Sequence, residues 1–208
     1  MDTKKILEDI LKLTRAEQRN LTYEQLLEIM MQLNDEEIVE LSNIIGYPVF
    51  TRLCMGALKH KFVLLQDGAA VIVVNKDGQI LMQQRKDNDK WGLPGGCQEL
   101  GEEFEDTAIR ELQEETNLVA RKEDIKLLGV LSGIKRKRCY PNGDVVFNNT
   151  VLYLIDKYEG KLAWNYESKE MQFFDLDNMP PQDKQHDADL IECYKEYIKN
   201  KSEQNFER

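Results

Sequence analysis

Residues 95 to 118 read GGCQELGEEFEDTAIRELQEETNL, and this stretch sets eight carboxylates against one cation, Arg110. From Glu103 to Thr116 the spacing predicts a helix, because Phe104, Ala108, Ile109 and Leu112 recur at helical intervals. The last turn of a helix exposes unpaired carbonyls and favours cations. Here that end carries Glu111, Glu114 and Glu115. They stand at i, i+3 and i+4 and project from one face, where each like-charged neighbour pair costs about 0.2–0.5 kcal/mol and the dipole adds a similar penalty. A Glu-rich helix is most often a solvated face. That reading explains neither the crowding at the unfavourable end nor the WGLPGG turn that feeds the helix. A hard divalent cation would convert the repulsion into coordination, since Mg2+ sits on a few carboxylates together with water and substrate phosphates.

The turn adds to the same reading. Pro94 precedes two glycines, so the backbone turns sharply and approaches a ligand closely. The carbonyl of Gly95 is the best placed to supply a further oxygen. Glu102 enters where the helix dipole favours an anion and is expected to hold Arg110 or a cation's water.

These residues resemble the signature of the Nudix hydrolases, G-x5-E-x7-R-E-U-x-E-E-x-G-U with U aliphatic. Gly96, Glu102, Arg110, Glu111, Leu112, Glu114, Glu115 and Leu118 occupy its places in order over 23 residues. The flanking ILMQQRK and WGLPGG extend the likeness, which covers about residues 62–200. Two positions depart. The family's last glycine is Asn117, the residue other than glycine that best tolerates the left-handed conformation past a helix. Glu103 stands where many relatives carry a serine, and it is a weaker N-cap.

The resemblance implies hydrolysis of a nucleoside diphosphate linked to another moiety, with Mg2+ as cofactor and Mn2+ as a substitute. Carried over residue by residue, it implies Glu111, Glu114, Glu115 and Gly95 as metal ligands. It also implies Glu115, Glu114, Arg110 and Glu167 as catalytic residues, and structural roles for Gly96, Glu102 and Leu112. Arg110 would orient the carboxylates and not touch substrate. The general base is Glu115 or, from the NYESKEMQFF stretch, Glu167 or Glu170. Substrate contacts are expected from Arg85 and from Arg136, Arg138 and Tyr140 in the GIKRKRCYPNGD run, whose alternate residues would share a strand face. The same basic run is equally a solvated hairpin tip that guards an edge strand. Trp164 and Phe147 are read as core residues, with base stacking as their alternative.

Outside the box, order and composition bound the fold. Residues 1–58 read as short amphipathic helices, with capping boxes at Thr22–Gln25 and Asn34–Glu37 and a stop at Gly46 and Pro48. From residue 59 to 208 the pattern is strands, the acidic helix, more strands and a closing helix. FVLLQDGAAVIVV and QILMQQRK are joined by the turn signal NKDG, and Leu190, Ile191, Tyr194 and Ile198 share one side of the last helix. The terminal SEQNFER is polar and expected to fray. The fold class is therefore α+β, and the resemblance makes it a Nudix-type mixed-sheet α/β/α sandwich preceded by a small N-terminal helical segment. That segment is expected to form a homodimer or cover the cleft. An alternative role is a nucleotide-binding sensor acting through those helices.

The chain has 208 residues, 32% of them charged, with a net charge of -10 that disfavours nucleic acid or an anionic membrane as partner. The expected ligand is a small nucleoside diphosphate derivative. Cys54, Cys97, Cys139 and Cys193 lie too far apart for a zinc knuckle and suit a reducing cytoplasm. No apolar run is long enough to span a bilayer, and the acid-bearing start is unlike a signal peptide. His60 and His186 are the only histidines and stand apart, which leaves nothing for a histidine mechanism.

Overall fold

A computed structural model describes residues 33–45, 63–86, 89–139, 145–181 and 187–206. In chain order the elements are α1 (Asp35–Ile45), β1 (Val63–Val73), β2 (Ile80–Arg85), β3 (Trp91–Gly92), β4 (Gly95–Cys97) and α2 (Phe104–Thr116). There follow β5 (Leu118–Val119), β6 (Lys126–Leu131), β7 (Lys137–Cys139), β8 (Val145–Ile155), β9 (Glu159–Gly160), β10 (Ser168–Phe174) and α3 (Ala188–Phe206). The N-terminal helical expectation is met at α1, and the rest of it lies outside the described residues. So do the Gly46–Pro48 stop, Tyr140, His60 and His186.

The central sheet runs β4-β1-β8-β6, with β7 also on β8. Strands β1 and β8 pair in parallel along their full length, from Val63↔Val145 to Val73↔Ile155. Parallel neighbours are buried on both faces, which is why their C-terminal halves read as continuous apolar runs. Alternation sends Ala69, Val71, Val73, Val151, Tyr153 and Ile155 to one face, where they meet Ala108 and Leu112 of α2. It sends Ala70, Ile72, Leu152 and Leu154 to the other, against Leu190, Ile191 and Tyr194 of α3. The result is a helix–sheet–helix sandwich with α2 and α3 on opposite faces.

Strand β2 belongs to a second sheet, β10-β2-β3. The NKDG stretch makes the predicted tight turn, but it hands the chain from one sheet to the next and does not close a hairpin within one. Asn75 holds it, its Oδ1 accepting from the N–H groups of Asp77 at 3.0 Å and Gln79 at 2.9 Å. Among the described residues only the bridge Val74↔Ile80 pairs the two runs side by side.

Three local expectations change. The basic run is not a continuous strand: Ile134–Arg136 forms a 3-10 turn after Gly133 at φ +90, and only Lys137–Cys139 is β7. A left-handed glycine breaks the extended run that the side chains alone suggest. Trp164 is 48% exposed and not core, because it lies in the loop between β9 and β10. Helix α3 continues to Phe206 and covers most of the stretch expected to fray, since Lys, Glu and Gln are good helix formers and no glycine or proline intervenes. Among the described residues no helix is long and apolar enough to cross a membrane.

Candidate active site

Helix α2 starts from Glu103, whose backbone N–H bonds the Asp106 carboxylate at 3.3 Å, while Lys122 bridges both side chains at 2.5 and 2.9 Å. The weak cap thus borrows partners. At the other end Asn117 takes the left-handed conformation, φ 59 and ψ 16, with its N–H on the Gln113 carbonyl at 2.9 Å. Its Nδ2 donates to the Lys161 carbonyl at 3.0 Å, and Ala163 N–H bonds the Thr116 carbonyl at 3.0 Å. The loop that carries Trp164 and Glu167 is therefore tied to the C-terminal end of α2.

The three glutamates toward the C-terminal end of α2 have distinct surroundings. Glu115 is 5% exposed. Its Oε2 accepts from the Gly95 N–H at 2.8 Å and from Gln83 Nε2 at 3.0 Å, leaving Oε1 for another partner. Burial, reinforced by the charge of Glu111, pushes its carboxyl up to about 8 despite these bonds and the attraction of Arg85. Glu111 lies against Gly96 of β4: a Cβ on Gly96 would fall 2.4 Å from its Oε1. Burial also raises the Glu111 carboxyl, opposed by Arg110 and assisted by Glu114 and Glu167. Glu114 stands outermost.

Arg110 organises the remainder. Its Nε and Nη2 grip Glu102 at 2.6 and 3.0 Å, Nη1 reaches Glu111 at 2.7 Å, and Nη2 also donates to the Cys97 carbonyl at 2.9 Å. Glu114 is further off at 3.6 Å. Although burial works against the charge, Glu102 and Glu111 keep this guanidinium far above its usual range, so it is permanently charged. Glu102 answers the sequence expectation by holding Arg110, and Leu112 is fully buried as a core residue of the same helix.

Gly95 is positioned by β4, paired with Ala70 of β1, and a Cβ there would come within 2.4 Å of the Ala69 carbonyl. Arg85 and Glu167, from β2 and the loop before β10, come near enough to act on Glu115 and Glu111 through their charges. Arg136 and Arg138 are not brought to this cluster. Arg136 is buried and donates to Thr150 Oγ1 at 3.0 Å, on the α3 face of the sheet with Leu152 and Leu154. Arg138 pairs with Val146, level with Leu64 and six residues along β1 from Ala70, or about 20 Å at strand rise. Glu170 is exposed on β10.

Sequence reasoning missed Gln83 and Ser168. Gln83 shares its β2 face with Leu81 and is 1% exposed; Ser168 Oγ donates to its Oε1 at 2.6 Å and so turns its Nε2 toward Glu115. A glutamine that strand alternation places on the same face as Leu81 was the available signal.

Among the described residues no three His, Cys, Asp or Glu side chains form a ready-made metal cage. The donor set still fits a hard divalent cation: Glu115 is buried and Glu111 half-buried, both carboxyls are raised in pKa, and Arg110 reaches only Glu111. Mg2+ keeps several waters and needs few protein carboxylates, so an open cluster suits it better than a closed cage.

Residues 64–196 match the NUDIX domain family. An ADP-ribose pyrophosphatase of Methanocaldococcus jannaschii is 38% identical over 111 residues, which are 52% of this chain and 61% of that one. The chain therefore spans under two thirds of this relative's length. A MutT NUDIX hydrolase from Burkholderia pseudomallei superposes with a TM-score of 0.50 at 27% identity, over 58% of this chain and 91% of the other. The NUDIX domain of Shewanella oneidensis NrtR, complexed with ADP ribose, shares the fold at a TM-score of 0.50 and 21% identity, over 74% and 98% of the two chains. With the sandwich, the Arg110 clamp and the buried Glu115 in place, the chain belongs to the NUDIX domain family.

Proposed function

We propose that this protein hydrolyses the pyrophosphate bond of a nucleoside diphosphate joined to another moiety, in a reaction that requires Mg2+ or Mn2+. The observation that carries this reading is Glu115: a carboxylate buried against Gly95 and Gln83, one position in sequence from Glu114 and one helical turn from Glu111. Such a group costs stability unless something charged comes to it. Glu111, Glu114, Glu115 and the Gly95 carbonyl would hold the cation. When bound, it supplies charge compensation for the phosphate oxygens and a more acidic attacking water.

The chain's own residues do the positioning that phosphoryl chemistry asks for. Arg110 holds Glu111 by its guanidinium, and Gln83 with Gly95 fixes Glu115. Glu115 is the first choice for the general base, because burial raises the proton affinity of its carboxyl. Glu167 is the second, as its charge reaches the same cluster. Arg85 offers a cation for the phosphates beside Glu115. Trp164 and Tyr166, 48% and 55% exposed in the loop tied to α2, present aromatic faces to a nucleobase. Asn117 in its left-handed conformation replaces the signature's final glycine. The likeness to an ADP-ribose pyrophosphatase makes ADP-ribose the first compound to try.

On this reading residues 59–208 are the catalytic unit of a cytoplasmic enzyme, and residues 1–58 an appendage that pairs two copies or covers the cleft. The test is a panel of ADP-ribose, dinucleoside polyphosphates, nucleotide sugars, CDP-alcohols and modified nucleoside triphosphates, assayed with Mg2+ and with chelator. Release of nucleotide from one class, abolished by chelator, is expected. Tight binding without turnover across the panel would replace the hydrolase with a nucleotide sensor.

A further inference from the structure

Helix α1 lies outside the stretch that matches the family, yet it reaches the loop in front of α2. Asn43 donates from Nδ2 to the Leu100 carbonyl at 3.2 Å, and its Oδ1 accepts the Leu100 N–H at 3.1 Å. One side-chain amide thus takes both polar backbone groups of a single residue. Its helix is firmly seated, with Leu41 and Ser42 fully buried.

Leu100 sits at the tip of a tight turn. The Glu102 N–H bonds the Glu99 carbonyl at 3.2 Å and Gly101 has φ +87, the pattern of a type II turn with Leu100 and Gly101 at its centre. Types I and II differ in the orientation of the central peptide, and the turn's own hydrogen bond does not involve that peptide. Its oxygen here is the Leu100 carbonyl, the atom that Asn43 holds.

What the turn delivers is Glu102. Its Oε2 accepts from the Glu99 N–H at 3.0 Å and from Thr107 Oγ1 at 2.8 Å, and both its oxygens grip Arg110, which in turn reaches Glu111. A rotated central peptide would move the Glu99 and Glu102 groups that aim this carboxylate. The chain of contacts therefore runs from α1 through Leu100 and Glu102 to Arg110 and Glu111.

We propose that Asn43 is a positioning residue for the carboxylate cluster, so that the N-terminal segment sets the turnover rate and not the affinity for substrate. This rests on the hydrolase reading. The test uses the full chain and compares wild type with Asn43→Ala and Asn43→Asp. The aspartate keeps the acceptor for the Leu100 N–H and loses the donor to its carbonyl. Hydrolysis of ADP-ribose with Mg2+, or of the panel substrate turned over fastest, should show kcat lowered about tenfold and KM changed less than about twofold in both variants. The Arg110 Nε–H proton, protected from exchange by its bond to Glu102, should exchange faster with solvent in both by NMR, at an unchanged melting temperature. Wild-type kcat in both variants, or a loss that follows the folded fraction while the Nε–H signal stays put, overturns the proposal. A wild type that hydrolyses nothing in the panel overturns the hydrolase reading instead, and the Arg110 signal still decides whether Asn43 positions it.

Discussion

Helices α2 and α3 cover opposite faces of one sheet, yet they bury different chemistry. Helix α3 turns Leu190, Ile191 and Tyr194 inward, an apolar set of the kind burial rewards. Helix α2 buries Ala108 and Leu112 but gives one inward position of its last turn to Glu115. A leucine there would add roughly 1.5–3 kcal/mol of burial. The two helices do the same structural work, and the position that α2 gives up lies in the candidate site.

The largest effect should come from removing that charge. In Glu115→Gln the amide oxygen can still accept from Gly95 and Gln83, so the fold stays intact, and the melting temperature is expected to hold or rise. Turnover should fall by about 10²–10⁴-fold. Comparable rates in the variant would take Glu115 out of the chemistry and leave α2 no different in kind from α3. The matching change on the other face is Leu190→Ala, where a fully buried side chain is lost from the core. It should cost about 2–5 kcal/mol of stability by denaturant unfolding while kcat per folded molecule is kept. A fall in kcat at full folding would show that the α3 face also serves the reaction.

Acidity gives a third way to separate the helices. The folded state holds the Glu115 proton up to about pH 8, whereas the unfolded chain releases it near 4.5. Between these values the native state binds more protons, so stability falls as pH rises. Fully present below pH 4.5, this contribution is lost progressively toward pH 8, with about 3 kcal/mol gone by pH 7 for the metal-free protein. Glu111 adds to the trend in the same direction. Thermal melts at pH 5 and pH 8 should show the slope, Glu115→Gln should flatten it, and Mg2+ should raise the melting temperature more at pH 8 because it favours the ionised carboxylates. A slope unchanged in Glu115→Gln would place the titrating group elsewhere.

What the sequence revealed follows the same division. The carboxylates of α2 lie in one continuous segment, and a helix converts their spacing into a shared face by local geometry alone. The grip of Arg110 on Glu102 spans eight residues and was legible for that reason. Gln83 meets Glu115 across 32 residues and two elements, and nothing in its neighbours' spacing specifies that partner. Asn43 and Leu100, 57 residues apart, were hidden in the same way. The basic run failed differently: its residues were seen, but Gly133 redirected the chain, and the face that Arg136 occupies depends on the register of β7 and Thr150 on β8. Parity along β1 and β8 could be counted from the sequence, whereas their parallel pairing could not.

The smallest effect tests the end of α2 itself. Asn117 is one of two non-glycine residues with positive φ among those described, and the proposed reading sets it where the signature has glycine. Glycine would remove the left-handed penalty, about 1–2 kcal/mol for an ordinary side chain and less for asparagine. It would also give up the bond from Nδ2 to the Lys161 carbonyl, which is exposed, and increase the freedom of the unfolded chain. These changes oppose one another. Asn117→Gly is therefore expected to move stability by less than about 1 kcal/mol in denaturant unfolding and to leave kcat unchanged. A marked loss of kcat at unchanged stability would mean that the Asn117–Lys161 bond, and not the helix stop, holds the Trp164 and Glu167 loop against the carboxylates. In that case the acidic end of α2 is built from two segments.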